Sequence, residues 1–407
     1  MRQDRGVRAR RGWQLLGVLV LLLAAAPIVH RYLLAQPQDQ WQVDLEVYRE
    51  AGRSLLIGRP VYQFETEVPQ LLPFTYPTFS AVLAIPLALV PFAVAGWAWT
   101  LFQLALLWVT VGIAFAPLLR RAGRFAGLAQ GVVAAACVWI SPVGEGIRFG
   151  QVNAVLVALC LVDLTRSGRF GRGRGVLVGL AVAIKLTPGV FLLHFLLTRQ
   201  WRELRNAVAA AVAVTLGTFA LAPEASAEYW TSALLSSDRL GPNAGSSNQS
   251  LRGFVLRLYL SAGETTVLWA VLALLGAAGG LLVAREMHLR GSRVGEVAAC
   301  GMVAVLVSPV SWLHHLHWGV VVIGALVGAG RPLHRAVVGA LALVTLWVAW
   351  PWHGANLLAA GQVPEVLARA VQSGDLWWAC LVLVALWRVV PTRDGKSQLV
   401  TERSLSV

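Results

Sequence analysis

Apolar runs recur from end to end of this 407-residue chain. Roughly 20 such residues carry an α-helix across a bilayer. The runs cover residues 12–34, 77–91, 95–119, 125–140, 152–164, 176–197, 207–221, 266–284, 294–307, 318–328, 336–350 and 377–389. Polar loops at 36–76, 141–153, 223–264, 308–317 and 351–375 alternate with short arginine-rich clusters. No long soluble segment interrupts the series. The pattern predicts an all-α fold, a polytopic transmembrane helical bundle forming one domain over residues 1–390. A polar, disordered cytoplasmic tail is expected over 391–407.

The basic clusters lie at 120–124, 166–174, 199–205, 285–293, 331–335 and 388–396. Such residues collect on the cytoplasmic side of a membrane. Both termini are therefore assigned to the cytoplasm of a plasma-membrane protein, and the polar loops to the outside. Parity then decides two segments. Runs 12–34 and 95–119 already bring the chain out and back, so 77–91 should not cross and is expected to dip in from outside as a partial helix. Run 176–197 has basic clusters on both flanks and contains Pro188, which lacks the amide a continuous helix needs. Two half-helices meeting near Thr187 and Pro188 are expected there. Short re-entrant or juxtamembrane helices should thus line the periplasmic side.

Composition narrows the class further. With 57% hydrophobic and 13% charged residues, the chain cannot coat a soluble surface. Its net charge of +14 would suit nucleic acid if gathered on one soluble face, but here it is divided between apolar runs. Lys185 and Lys396 are the only lysines. Cys137, Cys160, Cys300 and Cys380 lie in or beside apolar runs without paired spacing and read as core residues. The basic start ahead of the apolar run from Trp13 reads as an uncleaved first span.

Candidate chemistry falls in the outer loops. In 43–56, Val47, Ala51, Leu55 and Leu56 recur at helical spacing, predicting a short amphipathic helix along the membrane face. Asp44 at its start is either a helix cap or a general base at a cavity mouth. Tyr76, between Thr75 and Pro77, is either an interfacial anchor or a wall for a sugar. Gln151 and Arg148 are placed to hydrogen-bond a polar substrate, while Asn153 suits a helix cap. Lys185, three residues before Pro188, is costly in an apolar run unless it is paired, hydrated or snorkelling. Asn248 and Gln249 suit hydroxyl recognition or an exposed loop, and Arg252 suits a phosphate. The run 311–318 holds His314, His315 and His317. It lacks HExxH and a matched carboxylate, so phosphate binding or proton transfer fits it better than a metal.

In chain order, these segments resemble glycosyltransferase family 87 of the GT-C superfamily, membrane sugar transferases of actinobacteria and their relatives. The motifs are Asp44-Leu45-x-Val47-Tyr48 with Ala51-Gly52-Arg53; Pro73 to Pro77; Gly150-Gln151-Val152-Asn153; Lys185-Leu186-Thr187-Pro188; Asn248 to Leu251; and Ser308 to Trp312 with His314-His315. The resemblance implies a polyprenyl-phosphate sugar donor, commonly mannose. It also implies a glycolipid or lipoglycan hydroxyl as acceptor, an α-1,2 linkage formed with inversion, and neither metal nor cofactor. Asp44 becomes the catalytic base on this reading. His314, His315, Lys185 and Arg252 face the donor phosphate, and Tyr48, Tyr76, Gln151, Asn153, Asn248 and Gln249 bind substrate. A donor carrying arabinofuranose is the nearest alternative. A lipid or solute transporter is the rival from another class, disfavoured by the single interrupted span in the sequence.

Overall fold

A computed structural model describes residues 2–37, 40–236, 241 and 243–391, with side chains from residue 10 onward. The tail assigned to 391–407 therefore lies, beyond Pro391, outside the described residues. Every regular element is helical among the described residues, and pairing is limited to isolated bridges at Glu65–Pro73 and Asn248–Trp312.

The chain opens with α1 (Arg2–Val29), which widens after Pro27 into a π-turn at His30–Leu34. The outer segment folds as α2 (Val43–Leu56), followed by α3 (Thr78–Ala88), the short helix expected before Pro91. Next come α4 (Phe92–Ala114), α5 (Ala116–Arg121), α6 (Ala126–Val138) and α7 (Ser141–Phe149). The polar stretch 141–153 is therefore mostly helix rather than loop, because Pro142 sits in the first turn and Gly150 ends the helix at φ 68°. Beyond it lie α8 (Asn153–Thr165), α9 (Val176–Ile184), α10 (Val190–Leu197), α11 (Trp201–Leu221), α12 (Pro223–Thr231) and α13 (Leu251–Leu256). The chain closes with α14 (Ala262–Leu289), α15 (Arg293–Val307), α16 (Gly319–Val327), α17 (Leu333–Trp347), α18 (Trp350–Ala360), α19 (Glu365–Gln372) and α20 (Gly374–Val389).

Four helical stretches are long and apolar enough to cross a membrane: Arg10–Leu34, Phe92–Ala114, Trp201–Leu221 and Ala262–Leu289. Three helix pairs pass the same test only as bent units: α6 with α7 at 77°, α17 with α18 at 49°, and α19 with α20 at 61°. Interruption is thus more frequent than the sequence indicated. Proline marks the restart at two of the bends, since Pro142 and Pro351 each stand in the first turn of the second helix. Together these elements form an all-α polytopic bundle.

The break in 176–197 falls at Lys185 and Leu186, just ahead of the proline. Lys185 is extended, at φ −154° and ψ 132°, and a single 3-10 turn over Thr187–Gly189 restarts the helix. A broken helix strands carbonyls that lipid cannot satisfy. Here the Ser80 hydroxyl of α3 donates to the Ile184 carbonyl at 2.5 Å. At the other end of α9, the Asp163 carboxylate accepts from the amides of Gly175 and Val178 at 2.8 and 2.9 Å. Both ends of the half-helix are thereby fixed by side chains.

Two apolar cores result. The larger joins α1, α4, α6, α8, α15, α16 and α20. The smaller lies under the outer segment, where Leu45, Tyr48, Ala51, Tyr62, Phe74, Ala81, Ala84 and Tyr229 pack together. Val152 packs against both. The helix α2 does not lie free on a membrane face. Leu56 is 49% exposed, whereas Leu45, Tyr48 and Gly52 are buried against the protein. At Gly52 a Cβ would come within 2.7 Å of the Ala84 backbone, so α2 and α3 touch main chain to main chain.

Candidate active site

The seam between the two cores carries a connected chain of polar side chains. It begins at Asp44, in the first turn of α2. Asp44 caps nothing: Gln42 is the N-cap residue and makes no side-chain cap bond. The Asp44 carboxylate instead accepts a hydrogen bond from the Gln151 side chain. Gln151 is buried, and its carbonyl oxygen accepts from Tyr48 Oη at 3.2 Å and from Asn153 Nδ2 at 3.3 Å. Asn153 likewise caps nothing, since Val152 takes the N-cap position of α8. Tyr48 Oη lies 3.2 Å from Tyr76 Oη, and their rings meet edge to face. Lys185 Nζ reaches Tyr76 Oη at 3.4 Å, stands over its ring at 4.9 Å, and donates to His315 Nε2 at 2.8 Å. The His315 ring stacks edge-on against His314, 4.8 Å between centroids.

Local structure explains why these groups meet. The αL turn at Gly150 swings Gln151 off the end of α7, and it does so against α2. A Cβ on Gly150 would lie 2.7 Å from Leu45 Cβ. The extended residue at the break of α9 turns Lys185 out of the helix and toward Tyr76. The 3-10 turn Leu313–Trp318 places residues three apart on one side, so His314 and His317 are both buried while His315 faces Lys185.

Electrostatics set the protonation states. Burial pushes Asp44 up to about 6, against the opposing pull of the Gln151 hydrogen bond and the Lys185 charge. Burial, with Asp44 close by, holds Tyr48 and Tyr76 above the ordinary phenol range, so both remain protonated donors. One carboxylate near neutrality, facing one ammonium through phenols and an amide, is suited to accept a single proton.

An apolar groove of about 260 Å³ opens beside the tyrosines. Tyr48, Tyr76, Leu83, Trp99, Phe102 and Val155 are among its walls. Leu83 and Phe102 are exposed on its outer side. Ile184, the residue before Lys185, lines it as well, so the groove runs beside the polar chain.

Three residues read from sequence as substrate or phosphate ligands stand apart from this chain of contacts. Asn248 and Gln249 are fully buried and engaged by the protein. Asn248 Oδ1 accepts from the amides of Ser250 and Ser311, and its Nδ2 donates to the Asn243 carbonyl. Gln249 bonds the carbonyls of Ser246 and Gln372 and the amide of Leu376. Arg252 lies over the Trp269 ring at 5.4 Å. Arg257, unmarked in the sequence, is the buried cation of this region; it donates to the Gly245 and Asn248 carbonyls and to Ser373 Oγ. These contacts anchor the 243–250 segment to 311 and 372–376. Nothing in the local sequence distinguishes an arginine that binds main chain from one that binds a ligand.

A second titratable cluster joins other elements. His194, His288 and Glu296 bring one ligand atom each within 4.8 Å of one another, a spacing that suits a metal ion. Arg293 Nη1, however, donates to both Glu296 oxygens, at 3.0 and 3.1 Å, so the carboxylate charge is already met. The four cysteines are free and buried or half-buried.

Residues 74–309 match the sequence family described as Glycosyltransferase family 87. The chain is also similar, end to end, to curated proteins. It is 33% identical to the polyprenol-phosphate-mannose-dependent alpha-(1-2)-phosphatidylinositol mannoside mannosyltransferase of Mycobacterium tuberculosis, over 98% of this chain and 96% of that one. It is 34% identical to the protein of the same name from Mycolicibacterium smegmatis, over 87% and 85%. A phosphatidylinositol pentamannoside mannosyltransferase of Mycolicibacterium smegmatis is 35% identical over 82% and 81%. No solved structure matches this chain significantly.

Proposed function

The chain belongs to glycosyltransferase family 87, and we propose that it moves mannose from a polyprenyl phosphate to a hydroxyl of a phosphatidylinositol mannoside, forming an α-1,2 bond. The supporting observation is the convergence of Asp44, Gln151, Tyr48, Tyr76, Lys185 and His315 in one chain of contacts whose two tyrosines also line an apolar groove. The donor's isoprenoid end occupies that groove. Its phosphate lies against Lys185 and His315, and the mannose stands toward Asp44.

The acceptor oxygen attacks the anomeric carbon while Asp44 takes its proton. The bond from that carbon to the phosphate oxygen breaks, and its electrons leave with the polyprenyl phosphate. Lys185, whose ammonium donates to the His315 ring, meets the phosphate charge as it separates from the sugar. The phosphate is a good leaving group, so a second carboxylate acting as acid is unnecessary, unlike in a two-carboxylate hydrolase. One displacement inverts the anomeric centre, giving an α product from a β-linked donor. The chemistry takes place at the outer face of the plasma membrane, with both termini in the cytoplasm.

Asp44→Asn retains the size of the side chain and removes the base. In membranes given purified donor and acceptor, transfer should fall by at least 10²-fold, in line with the typical contribution of a positioned general base, while the protein remains folded by gel filtration. Residual activity near wild type would exclude Asp44 as the base. Offering polyprenyl-phosphate mannose and arabinose side by side in the same assay identifies the sugar.

A further inference from the structure

A second and larger cavity, of about 680 Å³, lies apart from the groove described above. That volume falls within the range of small-molecule sites, roughly 300–1,000 Å³. Its walls come from the π-turn after α1, the elbow between α6 and α7, and the elbow between α17 and α18. Three interruptions of helical structure therefore meet at one place. A π-turn inside a helix often marks a functional position.

The charges on this wall do not cancel. Arg31 and Arg148 each stand 5.4 Å from the centroid of the same ring, Tyr32. Glu145 is the acid beside them, 3.4 Å from Arg148 and within electrostatic reach of Arg31. Two guanidiniums held against one carboxylate leave one positive charge facing the cavity. Around them Trp139, Trp347 and Trp352 present half-exposed indoles. Guanidinium forks match phosphate oxygens, and indole faces bury the C–H face of a sugar ring.

Short stretches of chain join two of its walls to the Asp44 site. Gln40, on its wall, precedes Asp44 by four residues, and Arg148 precedes Gln151 by three. We propose that this cavity holds the acceptor's head group, with the lipid phosphodiester on Arg31 and Arg148 and the first sugar rings against the tryptophans. The proposal builds on the transfer reading above. It assigns the two substrates to separate cavities, one walled by α7 and the other by Val152 and Val155 just beyond the end of that helix.

Binding is measured on detergent-purified full-length protein with a fluorescent phosphatidylinositol mannoside, with phosphatidylglycerol as the comparison lipid of equal charge. Arg148→Gln and Arg31→Gln should each weaken mannoside binding at least tenfold. In the transfer assay the acceptor KM should rise by a similar factor, with the donor KM unchanged. Glu145→Gln should bind as tightly as wild type or tighter. If Arg148 served only to hold Glu145, Glu145→Gln would lose binding as Arg148→Gln does, and the proposal would fall. It falls equally if the arginine variants bind within twofold of wild type, if the donor KM rises in step, or if phosphatidylglycerol competes as well as the mannoside. Should wild type bind the mannoside yet transfer no mannose, the transfer reading fails and the binding comparison still decides the cavity.

Discussion

Asp44 holds its proton to about pH 6 because burial outweighs the Gln151 hydrogen bond and the Lys185 charge. A base works only when ionised, so activity should decline as pH falls through that value. The expected profile of kcat/KM for mannose transfer has an acid limb near pH 6. Gln151→Leu removes a bond that favours the ionised form and should move the limb upward. A limb near pH 4, the ordinary carboxylate range, would show that Asp44 titrates as an exposed group. At this scale much of the site was legible in the sequence. Lys185 stood out as a lone cation in an apolar run, and Asp44, Tyr48, Tyr76 and Gln151 stood in the motifs that carry the family resemblance. Asn248 and Gln249 were legible only as hydrogen-bonding groups. Their partners at Ser311, Gln372 and Leu376 are distant in sequence, and amides in a loop do not announce which backbone they will bind.

Elements decide whether those residues meet. Gly150 is the clearest case: its positive φ ends α7, and its missing side chain lets the turn lie on Leu45 and Gln42. Gly150→Ala would place a Cβ 2.7 Å from Leu45 Cβ in a conformation that resists side chains. The expected cost is about 1–3 kcal/mol of stability. Because Gln151 is the next residue, transfer should be lost at temperatures where the variant is still folded. Thermal unfolding and activity measured on the same preparation check this. The broken 176–197 run was visible through Pro188 and its basic flanks, but the break itself sits at Lys185. A proline resists helix at the residues before it, so the interruption falls upstream of the ring. The bends that follow α6 and α17 were less legible. A proline in the first turn is compatible with a helix and marks its beginning, not the angle at which it leaves its predecessor.

For the whole molecule the sequence carries orientation through its arginines, and the structure supplies the packing. On the proposed topology, the parity that makes α3 a partial helix puts the 223–264 and 308–317 segments on the side of Asp44. Asn243→Cys in intact cells should react with a membrane-impermeant thiol reagent. Ser292→Cys, beside the basic cluster at 285–293, should react only after the membrane is opened. The native cysteines, buried or half-buried, give a low background. Reaction of Ser292→Cys in intact cells would reverse the assigned sidedness. The two apolar cores, joined through Val152, explain how a site built from five distant segments is held: the outer segment is a lid packed on the bundle, and the polar chain runs along the seam.

The size of the groove beside Tyr76 has one more consequence. At about 260 Å³ it falls below the roughly 300 Å³ at which sites enclosing a whole small ligand begin, and a polyprenyl chain is far longer than such a ligand. With the donor placed as proposed, this groove takes only the isoprene units nearest the phosphate. The rest of the carrier would then lie among acyl chains, so the bilayer itself would complete the binding site and accommodate the length and unsaturation of the distal carrier.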